Sequence, residues 1–406
     1  MVFLYNIGIL LYSLIVRMVA PFNPKAKYFV NGRKQVWAEI KLKINPNDKH
    51  IWFHFASLGE FEQGRPVLEQ IKSLHPEKKV VITFFSPSGY EIRKHYALAD
   101  GVFYLPLDTH KNAVKFIEAI NPELAIFTKY EFWHHYFKAL SHKNVPLFLI
   151  SGIFRPNQIF FKFYGGFNRN MLKKISWFFV QNEESLRLLK QLKMGNASIA
   201  GDTRFDRVAE NATNPTPLPL IQAFCGTSSV LVAGSTWPAD EQILKRLTTE
   251  NKDWKFIIAP HEIGDEHLNQ IDKIFPAAIR YTQFNEKQSI NANVLIIDNI
   301  GMLSAIYQYG QIAYIGGGFG QGIHNTLEAA AYGLPVIFGP KYQKFQEAHD
   351  LIAIAAAKSI ENELGLIAAF QFFKENQKAA QAAKAYVNGQ TGATNSIYQK
   401  IKSYMT

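Results

Sequence analysis

The chain has 406 residues, 48% apolar and 19% charged, so it is globular rather than disordered and long enough for two domains. Its single cysteine, Cys225, excludes a disulfide framework and a thiolate metal site. A formal charge of +11 suits an acidic partner; with no RNA-binding or helix-turn-helix signature and no continuous basic run, that partner is anionic lipid or a phosphorylated substrate rather than nucleic acid.

Residues 1–22 stand apart. From Val2 to Val16 nearly every residue is apolar, then Arg17 interrupts and Pro21 stops the run. A secretory signal carries its positive charge before the apolar stretch, whereas here it follows. The run is also shorter than the ~20 residues a membrane-spanning helix needs. Lys25, Lys27, Arg33, Lys34, Lys41 and Lys43 follow against one acid, Glu39. Basic flanks of this kind stay on the cytoplasmic side and attract anionic lipid. The expectation is an uncleaved anchor lying in or dipping into the membrane surface, the alternative a buried N-terminal helix.

Short β-branched or aromatic runs then alternate with helical stretches, as in parallel α/β domains. Strands are expected at 51–55, 79–84, 124–127, 147–150 and 177–180, with a helix near 61–74. Residues 211–219 (NATNPTPLP) hold three prolines and no apolar periodicity, which marks a linker. Further strands follow at 230–233, 255–258, 294–297, 312–315 and 336–338. The organisation expected is an anchoring segment 1–22, a first domain 23–210, the linker 211–219, a second domain 220–388, and a final helix, 389–406, which the fold analogy alone sends back to the first domain. The fold class is α/β: two Rossmann-like parallel-sheet domains facing a central cleft. Ligands of such sheets sit at the carboxyl ends of strands.

Two constellations sit there. His54-Phe55-Ala56-Ser57-Leu58-Gly59-Glu60 ends a strand and opens a helix. Glu60 reads either as a helix N-terminal charge or as a general base that deprotonates an attacking hydroxyl. Gly316-Gly317-Gly318-Phe319-Gly320-Gln321-Gly322-Ile323-His324-Asn325-Thr326-Leu327-Glu328 follows the strand at 312–315. Glycines and a helix N-terminus admit a phosphate, and Glu328 can accept hydrogen bonds from ribose hydroxyls. The bland alternative is a tight strand–helix turn. No acid stands where a dinucleotide fingerprint needs one, and there is no Gly-Lys-Ser/Thr of a P-loop. The mixed aromatic and basic segment 154–174 is either an ordinary helix or a lip for acyl chains and phosphates. His134, His135, His261 and His324 lack metal-ligand spacing.

These motifs resemble those of the 3-deoxy-D-manno-octulosonic acid (Kdo) transferase family. The resemblance runs nearly the whole chain: HxxSxGE at 54–60, Phe84-Phe85-Ser86-Pro87-Ser88-Gly89, Tyr104-Leu105-Pro106-Leu107-Asp108, Glu131-Phe132-Trp133, Asp202-Thr203-Arg204-Phe205-Asp206, Gly234-Ser235-Thr236, and 298–340. It implies a GT-B glycosyltransferase that moves Kdo from CMP-Kdo to a lipid A precursor at the cytoplasmic face of the cell inner membrane. Transfer would be inverting and metal-independent, with no cofactor. Glu60 would be the base, with Glu131 and Arg204 holding the acceptor or stabilising the transition state. Pro260, His261, Ile300, Gly301, Met302, Asn325, Thr326, Leu327 and Glu328 would line the CMP site, and Ser57, Gly59, Ser86, Ser88 and Arg155 the acceptor site. The chain departs from the family pattern in Ala259-Pro260-His261-Glu262 for Ala-Pro-Arg-His, Ile300-Gly301-Met302 for Met-Gly-Glu, Lys129 for an acid, His134 for a proline and Arg204 for a lysine.

Three other functions compete: a GT-B transferase using a UDP-sugar and a lipid-linked acceptor, a GT-B-like nucleotide-sugar epimerase or hydrolase, and a non-catalytic lipid-binding protein. The order of motifs argues against the first. The second has no use for an anchor, and the third none for both Glu60 and the 325–328 cluster. Oligomeric state, the number of Kdo units and the acyl pattern of the acceptor are not legible.

Overall fold

A computed structural model describes residues 1–284 and 292–405. They form two compact units, Met1–Asp206 with Thr391–Thr406, and Arg207–Gln390. Each is built on a seven-stranded sheet in which the strand pairs are parallel.

In the first unit the strands are β1 (His50–Phe55), β2 (Lys79–Phe84), β3 (Gly101–Tyr104), β4 (Pro122–Thr128), β5 (Leu147–Gly152), β6 (Trp177–Val180) and β7 (Ala197–Ile199). Their order is β3-β2-β1-β4-β5-β6-β7. All six residues of β1 are buried, as expected of a strand covered on both faces. Trp52 faces one core with Phe116, Tyr136 and Phe127, while Ile51, Phe53 and Phe55 face the other with Phe61, Val67 and Ile397. Chain order reverses between β1 and β4, and the crevice at their carboxyl ends is the place where such sheets bind ligands.

Six helices of this unit position the site: α1 (Val2–Val19), α2 (Pro24–Lys43), α3 (Leu58–Leu74), α4 (Pro87–Arg93), α5 (His110–Ile120) and α6 (His134–His142). Helix α3 begins three residues earlier than the sequence suggests, so Glu60 lies in its first turn. Asn23 caps α2, and Arg33 on α2 donates to the carbonyls of Phe29, Leu105 and Phe85, tying α2 to the loops after β2 and β3. Burial pulls the Arg33 guanidinium down to about 10. The C-terminal helix Ala393–Ile401 belongs to this unit. Ile397 and Ile401 enter its core, and Asp206 accepts hydrogen bonds from the Gly392 and Thr394 amides at the helix start.

Among the described residues α1 is the one helix long and apolar enough to cross a membrane. It is nonetheless docked. Tyr5, Ile9, Ser13 and Val16 form a single protected stripe at helical spacing, while Phe3, Leu4, Leu10, Leu11, Leu14, Ile15 and Met18 are exposed. Tyr5 and Ser13, with Ile9 and Val16, therefore turn toward protein. The exposed apolar ones cover no core.

In the second unit the strands are β8 (Ser229–Thr236), β9 (Trp254–Pro260), β10 (Ile279–Arg280), β11 (Val294–Ile296), β12 (Ile312–Ile315), β13 (Val336–Phe338) and β14 (Ala357–Ser359), in the order β10-β11-β9-β8-β12-β13-β14. The reversal falls between β8 and β12, which puts the Gly234-Ser235-Thr236 turn beside the glycine-rich loop. The chain passes from the first unit to the second within a helix over Thr203–Thr213, and another starts at Pro219, leaving residues 214–218 without regular structure. Segment 154–174 is not one helix: it holds a short turn at Ile159–Phe161 and a seven-residue helix, Gly166–Leu172.

Candidate active site

At the β1/β4 reversal of the first unit, His54 is fully buried near the end of β1. Its Nδ1 lies 2.8 Å from Thr83 Oγ1 on β2, and its Nε2 lies 3.0 Å from Glu131 Oε2 in the loop after β4. Trp133 Nε1 donates to the same carboxylate oxygen at 2.9 Å. With Glu131 ionised, the consistent assignment has His54 donating from Nε2 and accepting the Thr83 hydroxyl at Nδ1. Glu131 is thus held by two donors, which fix its position and disperse its charge.

Glu60 is held differently. Ser57, the N-cap of α3, donates its hydroxyl to the Glu60 carboxylate. Both carboxylates are partly exposed, the Glu131 side chain to 13%. One turn further along α3, Gln63 lies 3.4 Å from Asp202, and Asp202 pairs with Arg204 at 2.8 Å. The Arg204 charge is therefore shared with Asp202 before any substrate arrives. Gly59 is exposed beside Ser57. Ser86 caps α4 and meets the Ser88 hydroxyl at 3.1 Å, next to Phe85, whose ring lies 4.9 Å from that of Trp133. Arg155 is exposed, 6.0 Å above the Tyr130 ring.

The backbone is strained at the same edge. Lys129 and Ser151, just after β4 and near the end of β5, have φ of 58° and 52°, in the left-handed region that non-glycine residues rarely occupy. Such strain collects at functional sites. Ser235, at the equivalent bulge of β8, has φ of 54°.

The second unit uses other materials. Asp240 is fully buried and ties the loops after β8 and β12 together, accepting the Gly317 and Trp237 amides at 2.9 Å each and the Tyr314 hydroxyl at 2.6 Å. Burial pushes its carboxyl above the usual range. Above it the rings of Trp237, His261 and His324 stack, with centroids 4.8 Å and 4.4 Å apart. Trp237 Nε1 donates to His324 Nε2 at 3.2 Å, so that nitrogen is unprotonated. Burial and the neighbouring His261 lower His324 to about 4.

The glycines of this loop have mixed reasons. A Cβ on Gly316 would lie 2.3 Å from the Ser235 carbonyl, and one on Gly318 2.6 Å from the Gly339 backbone. Packing alone requires both. Gly320 has no neighbour nearer than 3.6 Å and no such need.

Asn325 Nδ2 donates to Glu328 Oε1 at 3.0 Å, and its Oδ1 accepts the Leu327 amide. The helix they open, Leu327–Ala331, has only five residues, so its dipole adds less than the sequence suggests. The side chains of Thr326 and Leu327 are fully buried, which leaves only their backbone groups to a ligand. Pro260 ends β9 and delivers His261 to the stack. Ile300, Gly301 and Met302 form the loop after β11; Ile300 is 85% exposed and Met302 opens a helix whose Leu303 packs on Gly234. Sequence reasoning passed over Trp237 and Asp240. The one available signal was their position directly after the Gly234-Ser235-Thr236 turn.

Two units with this strand order, each carrying polar groups at its reversal, define a GT-B protein. The fold resembles that of Neisseria meningitidis UDP-GlcNAc 2-epimerase bound to UDP-GlcNAc, with a TM-score of 0.62 at 16% identity, over 87% of this chain and all of that one. At that identity the likeness concerns the fold alone. Residues 31–207 match the family described as 3-deoxy-D-manno-octulosonic-acid transferase. A 3-deoxy-D-manno-octulosonic acid transferase of Aquifex aeolicus is 26% identical over 326 residues, 78% of this chain and 84% of that one. A bifunctional glycosyltransferase/methyltransferase of Fusobacterium nucleatum is 25% identical over 392 residues, 92% of this chain, but the match spans only 59% of that longer protein. The chain is a glycosyltransferase. Residues 31–207 belong to the Kdo transferase family.

Proposed function

We propose that the protein transfers Kdo from CMP-Kdo to a lipid A precursor, inverting the anomeric centre without a metal, at the cytoplasmic face of the inner membrane. The observation that carries this reading is the division of labour at the β1/β4 reversal. Glu131 accepts from both His54 and Trp133 at Oε2, whereas Glu60 has only the Ser57 hydroxyl as its described partner. Glu60 is therefore the carboxylate available to take a proton from an acceptor hydroxyl as that oxygen attacks the anomeric carbon. The bond to the CMP phosphate breaks on the opposite face, through an oxocarbenium-like transition state as in glycoside chemistry. The fixed charge of Glu131 opposes the positive charge that develops on the sugar. Arg204 stabilises the transition state from the first unit; in the second, the amides of the glycine loop serve the CMP phosphate and Glu328 the ribose. The exposed apolar face of α1 and the lysines after it suit a membrane surface.

The test is mass analysis of lipid A precursor incubated with full-length protein and a CMP-Kdo-generating mixture, alongside melting curves with CMP and with UDP. A Kdo mass increment and stabilisation by CMP are expected. Glu60→Gln should lose ~10²–10⁴ of turnover and keep the CMP stabilisation. Turnover above about a tenth of wild type would remove Glu60 as the base.

A further inference from the structure

We infer that Tyr5 of the apolar N-terminal helix is a positioning residue for Glu131, assisted by Asn6 and Asp108, so that one helix serves both as the membrane-facing element and as part of the acceptor site. The inference rests on the reading of Glu131 given above.

It starts from a missing cap. Helix α6 begins at His134, directly after Glu131-Phe132-Trp133. Its first amides point out of the helix and need acceptors. The N-cap residue is Trp133, whose indole is a donor only and is already committed to Glu131. The cap is supplied from elsewhere in the chain. Asp108, 1% exposed in the loop after β3, accepts the amides of His135 and Tyr136, each at 3.0 Å. Tyr5, on α1, donates its hydroxyl to Asp108 Oδ2 at 2.5 Å and lies 3.4 Å from the amide of His134. The next residue, Asn6, meets His135 Nε2 with its Oδ1 at 2.7 Å.

Rings reinforce these bonds. The Tyr5 ring lies within 5.6–5.9 Å of those of His134, His135 and Phe167. Further along α1, Tyr12 stacks on Phe85 at 6.0 Å, and Phe85 packs on Trp133. The segment carrying Glu131 is thus held from its helix start by Tyr5 and through the Trp133 ring by Tyr12. A buried Asp108 stripped of the Tyr5 hydroxyl keeps its two amide donors but loses its only described side-chain donor. Helix α6 then has freedom to fray from its first turn, and Glu131 lies three residues upstream. Small errors in the placement of a reacting constellation are costly in rate.

The experiment uses the full-length protein in detergent, comparing wild type, Tyr5→Phe and Asn6→Ala, with Glu131→Gln as reference. Three quantities are read: kcat, donor KM, and hydrogen–deuterium exchange over residues 130–137. Tyr5→Phe keeps the ring and removes only the hydroxyl. It should lower kcat about tenfold with donor KM unchanged, and speed exchange at the His135 and Tyr136 amides. Asn6→Ala, the milder change, should move both in the same direction by less. A purely structural role would lower melting temperature and leave kcat per folded molecule unchanged, and that outcome overturns the inference. So does unchanged exchange, whatever the activity. If exchange rises but Glu131→Gln turns over like wild type, the reading of Glu131 fails, and the catalytic consequence assigned to Tyr5 fails with it.

Discussion

The two strand-order reversals are built from opposite materials. In the first unit the carboxyl edge of the sheet carries ionisable side chains held by other side chains: His54 and Trp133 on Glu131, Ser57 on Glu60, Asp202 on Arg204. In the second the edge is glycine backbone and aromatic face, with two fully buried acids spent on structure: Asp240 ties two loops together, and Glu241 accepts the Thr236 hydroxyl and meets His267. Groups that exchange protons or oppose charge must be ionisable and must be fixed, which is costly in donors. Groups that recognise a nucleotide need shape, amides and flat surfaces. The difference teaches that the same sheet topology supports either, and that the loops after β1, β4, β8 and β12 decide which.

The largest expected effect tests how far the glycine loop is packing and how far it is recognition. Gly318→Ala places a methyl 2.6 Å from the Gly339 backbone, where no flexible side chain can move aside. A loss of about 3 kcal/mol or outright misfolding is expected, read by chemical denaturation. Gly320→Ala meets nothing nearer than 3.6 Å. Its stability should stay within about 0.5 kcal/mol of wild type. If CMP affinity nonetheless drops in Gly320→Ala, the loop touches the donor there; unchanged affinity confines its role to packing.

These reasons for the glycines were not legible beforehand, and the pattern of what was legible is physical. All ten strands expected from apolar runs are present, because inner strands of a parallel sheet are buried on both faces and read as unbroken apolar segments. The four strands not expected, β3, β7, β10 and β14, are the four edges of the two sheets. They are two to four residues long, and three of them, Ala197–Ile199, Ile279–Arg280 and Ala357–Ser359, are partly exposed. The HxxSxGE motif is placed at a strand end by the apolar run that it closes, whereas ExW is identified through the family resemblance. Their partners are legible from neither. Tyr5 lies 103 residues from Asp108, and Tyr314 lies 74 from Asp240. Tyr5, Asn6 and Ser13 read in sequence as interruptions of an apolar run, whereas in the fold they mark its docked side.

A smaller effect separates the two edges by kinetics. Glu328 accepts from Asn325 at the start of a short helix, and a ribose contact there exists in ground and transition states alike. Glu328→Ala should raise donor KM about tenfold and leave kcat nearly unchanged, the signature of uniform binding. That is the reverse of the pattern expected for Glu60→Gln. An unchanged CMP affinity, measured by calorimetry, would remove this helix start from the donor site.

The smallest effect concerns acid. His324 sits at about 4 in the folded protein against 6.5 for a free imidazole, lowered by burial and by His261. Its Nε2 accepts the Trp237 indole proton, a bond that protonation destroys. The unfolded chain therefore takes up the proton first as pH falls. The contribution of neutral His324 is fully present above the unfolded value and is lost progressively as pH drops from about 6.5 toward 4. His134 in the first unit, also lowered to about 4 by burial and by His135, adds a loss of the same sign over the same range. Melting temperatures measured between pH 7 and pH 4.5 should fall, with part of the slope belonging to each unit. His324→Phe retains a ring for the stack but cannot titrate. It should melt lower than wild type at pH 7, for want of an acceptor for Trp237, and lose less on acidification. A slope identical to wild type would mean that His324 titrates alike in the folded and unfolded chain, and its Nε2 would not be the acceptor of the Trp237 indole.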